Sequence, residues 1–220
     1  MGEIVAAVAE QKPKLRGRLH QIAFFLSIPQ GVAAIAAAAG AVSRVAASIY
    51  AVSLAGLFGG SALYHRLQWS PRALARMRRL DHSLIYVLIA GSYTPFALLV
   101  LHGAWSVAIL ALAWAGAVAG IAIKILSIDR LRVLGSAMYI VLGWLVIIAL
   151  PQIVHGLSPT GIALLFAGGV LYTSGATVLW RRWPDPNPAW FGYHEVWHSM
   201  VIAASICHYV AIMLLLTHST

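Results

Sequence analysis

Five residues carry the chemistry this sequence offers: Ser61 and His65, four apart; Asp81; and His194 and His198, again four apart. Residues four apart on a helix lie about 40° from one another around the axis, so each pair presents both side chains to one face. Three neutral imidazoles with water in a fourth position make the open, catalytic type of zinc site. Imidazoles favour zinc over magnesium or calcium, which take all-oxygen shells. A carboxylate such as Asp81 can hold and deprotonate that water, whose pKa the metal lowers toward about 7. Ser61 would then be a supporting donor or would polarise a carbonyl oxygen. Each residue taken singly has a plainer explanation: a histidine at a membrane end is an ordinary interfacial group, and Asp81 can pair with Arg78 or Arg79 across one turn. Only their convergence at one level would make a metal centre.

The string His194-Glu195-Val196-Trp197-His198 is also H-E-x-x-H, in which two histidines bind zinc and the glutamate is the general base of a metalloprotease. That class generally takes a later acidic ligand, and no acidic residue follows Glu195. His65 would have to serve instead. Glu195 lies about 100° around the helix from His194, which leaves a supporting role and a purely structural one both open.

The elements that must position these residues are membrane spans. Of 220 residues 61% are hydrophobic and only 10% charged, with mean hydropathy +0.85, far from a soluble domain. Residues 1–19 read as a polar N-terminal segment and 20–220 as one transmembrane domain, since no polar stretch is long enough to bury its own core. The apolar segments are Gln21 to Gly40, Val45 to Tyr64, Leu80 to Leu101, Trp105 to Ile125, Val133 to Val154, Gly161 to Trp180, and His194 to Thr217. Each approaches the roughly 20 residues that a spanning helix requires. The first is read as a retained span and not a cleaved signal, with Pro29 and Gly31 tolerated if neighbours satisfy the freed backbone groups. Gly56/Gly60 and Gly116/Gly120 form small-xxx-small pairs suited to close helix packing, and Gly168 and Gly169 suit the sixth span in the same way. Cys207, the single cysteine, excludes an internal disulfide and reads as a small packing residue.

The +9 formal charge does not point to nucleic acid, because the basic residues fall in short clusters between apolar segments. Those clusters (Lys12, Lys14, Arg16 and Arg18; Arg66 and Arg72 to Arg79; Lys124, Arg130 and Arg132; Arg181 and Arg182) fall on one side, leaving Arg44 on the other. Seven spans with the N-terminus cytoplasmic and the C-terminus outside therefore follow. In that frame His20, His65, His82, His194 and His198 share the cytoplasmic level with Asp81. His102, His155 and His218 lie at outer ends, and His208 sits at mid-membrane, about 21 Å along the helix from His194. His208 could line a cavity or bond a neighbouring helix. His20 and His82 are possible neighbours of the site, although an interfacial position explains each.

With these residues in view the chain resembles the progestin and AdipoQ receptor superfamily in its bacterial hemolysin III branch. The matching stretches are Ser61-Ala-Leu-Tyr-His65, Leu80-Asp-His-Ser83 with Ile89-Ala-Gly-Ser-Tyr-Thr-Pro-Phe96, Gly168-Gly-Val-Leu-Tyr-Thr-Ser-Gly175, Gly192-Tyr-His-Glu-Val-Trp-His198 and Cys207-His-Tyr209. The resemblance covers about residues 20 to 217. It implies seven helices with an inward N-terminus, zinc on His65, His194 and His198, a water-mediated role for Asp81 and a nearby role for Ser61. The family usually opens with a Glu and an Asn ahead of the first-span histidine. Here His20 fits, while Arg16 stands where the Asn is expected and Pro13 or Lys12 where the Glu is. Eukaryotic relatives are receptors with ceramidase activity, and alkaline ceramidases look like distant kin; the bacterial name records a phenotype only.

These observations define competing functions. The first is a zinc-dependent hydrolase of a lipid amide or ester in the bacterial plasma membrane, with Asp81 moving the proton and Ser61 helping to stabilise the oxyanion. The second is a lipid or fatty-acid sensor whose zinc is structural. An intramembrane metalloprotease based on Glu195 is a minor third. A transporter lacks an acidic residue at mid-membrane, and no long amphipathic segment offers lysis by insertion.

Overall fold

The structure is a computed structural model that describes residues 13–218; residues 1–12, with Lys12 of the first basic cluster, residues 219–220, and the side chains of Arg132 and His218 lie outside what it describes. The chain is helical: α1 (Arg18–Ala37), α2 (Ala41–Arg66), α3 (Pro71–Leu99), α4 (Ala104–Ser127), α5 (Arg132–Gly143), a 3-10 turn (Leu145–Ala149), α6 (Leu150–Gly156), α7 (Pro159–Arg181) and α8 (Tyr193–His218). No strand forms among the described residues. Seven segments are long and apolar enough to cross a membrane, the fifth assembled from α5, the 3-10 turn and α6.

Local chemistry sets the boundaries. Ser70 caps α3 by accepting the Ala73 N–H with Pro71 in the first turn, and Ser158 accepts the Gly161 N–H ahead of α7 with Pro159 placed alike. The Ser70 cap starts α3 about nine residues before the apolar pattern begins, so Arg72, Arg76, Arg78 and Arg79 are helical and not a loop. Arg78 pairs with Asp129 at 3.0 Å, beyond the end of α4, and so is not committed to Asp81.

The fifth span departs from the continuous helix expected over Val133 to Val154. Its break is held from α3, where the Tyr93 hydroxyl donates to the Gly143 carbonyl at 2.8 Å and accepts the Val146 N–H at 2.9 Å. One phenol thus satisfies two backbone groups that hydrocarbon would leave bare.

Consecutive helices pack on one another and α1 closes on α8. The third helix is the hub, touching α2, α4, α5 and α8. Large apolar side chains such as Val52, Val107 and Leu126 point outward at 70% exposure or more, as a lipid-facing surface requires. Close approaches fall at glycines: a Cβ on Gly120 would stand 2.2 Å from the Tyr86 ring, and one on Gly168 2.3 Å from the His208 ring.

Candidate metal centre

The C-terminal end of α2 and the first turns of α8 meet at one end of the bundle. There His65 and His194 bring their Nε2 atoms to 3.3 Å, and one ring nitrogen from each of His65, His194 and His198 lies within 4.8 Å of the others. Four-residue spacing puts His194 and His198 on one face, with ring centroids 4.6 Å apart. His198 is buried, whereas His65 and His194 are half-buried, so the cluster is backed by protein on one side and reachable on the other.

These residues fit a zinc ion. With Zn–N bonds of about 2.0–2.1 Å, neighbouring ligands of a tetrahedral site stand about 3.3–3.4 Å apart, and His65 and His194 already have that separation. His198 Nδ1 is buried without a hydrogen-bond partner among the described residues. A buried imidazole nitrogen in that state calls for a hydrogen-bond partner, or for a cation where it carries no proton.

His20 of α1 backs the cluster. Its ring stacks on His198 with centroids 3.7 Å apart and planes 11° off parallel, and its Nδ1 lies 2.8 Å from Ser61 Oγ. Ser61, expected either to support the site as a donor or to polarise a carbonyl oxygen, is 2% exposed and reaches the cluster through His20. Asp81 sits on α3 with its side chain 13% exposed, 3.5 Å from His82 Nδ1 and within electrostatic range of His65 and His20. His82 also donates from Nδ1 to the Arg78 carbonyl, so it belongs to the turn of Asp81 and not to the cluster.

Glu195 is held by the protein on both of its oxygens. It is fully buried, with Oε1 accepting from Arg16 Nε at 2.6 Å and Oε2 accepting the Gly192 N–H at 2.9 Å. Both oxygens are engaged by the protein, so a protease base would have to break the pairing with Arg16 or the Gly192 N–H. His208 bonds the Leu165 carbonyl at 3.2 Å, the neighbouring-helix alternative for that residue.

Sequence reasoning left His20 as a possible neighbour of the site or an interfacial group, and gave Arg16 no role there. A signal existed for Arg16, because a glutamate three residues after Gly192 has the spacing of a capping box and a carboxylate there must be paired. No spacing rule connects His20 to Ser61, forty-one residues away.

The fold and the cluster together define a multi-span helical membrane protein, one end of whose bundle carries a three-imidazole group able to hold a metal. A family model described as "Haemolysin-III related" matches residues 8–209, and the chain belongs to that family. It is 36% identical over 198 residues to the "Hemolysin-3 homolog" of Bacillus subtilis (strain 168), covering 88% of this chain and 89% of the relative. It is 37% identical over 198 residues to the "Hemolysin-3" of Bacillus cereus, covering 88% and 87%.

Proposed function

We propose that the chain holds zinc on His65, His194 and His198 and hydrolyses an amide or ester of a membrane lipid, releasing a fatty acid. The observation that carries this is the convergence of three imidazoles from two helices, with His65 and His194 only partly buried. A zinc ion there supplies a Lewis acid for the scissile carbonyl and acidifies water beside it. Asp81 takes the proton of the attacking water and returns it to the departing amine or alcohol. Ser61 acts through His20, holding the ring that keeps His198 in place. The acyl chain enters from the bilayer, and the basic end faces the cytoplasm of a bacterial cell in its plasma membrane.

The test is the zinc-loaded protein in vesicles of ceramides or acyl amides. Fatty acid should appear, and Asp81→Ala and His65→Ala should each lower the rate at least about a hundredfold, as expected for loss of a proton-transfer group or a metal ligand. Equal rates in wild type and both variants would end the proposal.

One observation favours the second reading, a lipid or fatty-acid sensor with structural zinc: the Ser61–His20–His198 contact fastens α1, α2 and α8 regardless of turnover. Removing the metal should lower thermal stability under both readings, while only the hydrolase yields product.

A further inference from the structure

A carboxylate as buried as Glu195 requires a charged partner, and α8 takes its partner from the far end of the chain. Arg16 Nε reaches Glu195 Oε1 at 2.6 Å, a short charge-assisted bond across 179 residues. The other oxygen accepts the Gly192 N–H, and Asp185 Oδ1 accepts the Tyr193 N–H at 2.8 Å. The backbone on the N-terminal side of His194 is therefore tied at two consecutive residues.

Arg16 is itself held. The Lys14 N–H donates to the Ala189 carbonyl at 3.0 Å, the Leu15 N–H to that of Trp190 at 3.2 Å, and Lys14 Nζ stands 4.0 Å over the Trp190 ring. The next residue, Gly17, has φ +77° and runs so close to α2 that a Cβ there would lie 2.6 Å from His65 Cβ. Adjacent residues thus touch the two helices that supply the imidazoles: Arg16 the side of His194 and His198, Gly17 the side of His65. Three residues on, His20 lies flat on His198.

From this placement we infer that Arg16 is a positioning residue for the metal centre: through Glu195 it fixes the first turn of α8 so that His194 and His198 face His65. The inference rests on the proposed metal binding. It assigns a role to Arg16, one of the N-terminal positions where the chain departs from the pattern its resemblance implies. An ion pair that only anchored the N-terminus would alter stability without altering the geometry offered to a metal.

The experiment uses the full chain, purified in detergent, stripped of metal and titrated with cobalt(II), whose visible ligand-field bands report coordination geometry. Arg16→Met and Glu195→Gln should weaken cobalt retention against a competing chelator by about 10–100-fold, the range for losing a group that orients a ligand, and should change the bands. Arg16→Lys should restore part of both. If Arg16→Met does not fold, Arg16→Lys and Glu195→Gln decide the matter. Variants that bind cobalt as tightly as wild type with the same bands, whatever their melting temperature, overturn the inference alone. A wild-type protein that takes up no cobalt overturns it together with the metal reading.

Discussion

At the scale of single residues, the imidazole cluster is framed by contacts from residues outside it. Gly17 is the sharpest case, because it combines a left-handed φ with a 2.6 Å approach to His65 Cβ. Gly103 makes an internal control, having φ +60° and no atom within 4 Å of its would-be Cβ. Alanine at either position should cost roughly 1–3 kcal/mol of backbone strain, read as lowered thermal stability. Only Gly17→Ala should also lower the metal content of the purified protein, because only there does the new methyl group push on His65. Matching metal contents in the two variants would mean that Gly17 serves the chain turn alone. The histidine and aspartate types and their spacings were legible in the sequence, since each chemistry demands a particular donor. Ser61's partner was not, because its bond to His20 depends on how α1 lies against α2, which no local pattern encodes.

At the scale of helices, glycines that look equivalent in a sequence differ in what they face. Gly56 and Gly60 against Leu84, and Gly116 against Leu142, meet the ends of flexible leucines, with Gly56 at an ordinary contact distance of 3.6 Å. Gly120 meets the Tyr86 ring, which is fully buried and fixed by its hydroxyl donating to the Gly135 carbonyl at 2.6 Å. Gly120→Ala should therefore destabilise the bundle by about 1–3 kcal/mol through overpacking, whereas Gly56→Ala should be close to neutral. Unfolding of the two variants in detergent checks the order, and equal losses would show that α4 slides to make room. The spans themselves were readable because hydrocarbon demands length and apolarity. The start of α3 was missed for the opposite reason: a charged helical turn outside the bilayer carries no hydropathy signal, although Ser70-Pro71 marks it. The broken fifth span was missed because the residue that holds it, Tyr93, belongs to another helix.

At the scale of the molecule, the imidazole group joins α2 to α8, and α1 packs on both. A ligand bound only by the folded state at a hundred times its dissociation constant stabilises it by about 2.7 kcal/mol. Chelation should remove that contribution and loosen one region in particular. Amide exchange should rise over residues 13–20 and 192–198 and stay unchanged where Tyr93 clasps residues 143–146. A uniform rise across all spans would show that the metal is not local to this end. The distribution of Arg and Lys predicts that reporters fused at the two termini will read opposite sides of the membrane.

The 179-residue reach from Arg16 to Glu195 also bears on how the protein comes into being. Synthesis runs from the N-terminus, so Arg16 waits without Glu195 while six spans are threaded into the bilayer. Only when the last helix leaves the ribosome do its carboxylate and its two imidazoles arrive together. A nascent chain arrested one helix short lacks two of the three clustered imidazoles and the counter-ion for Arg16 at once.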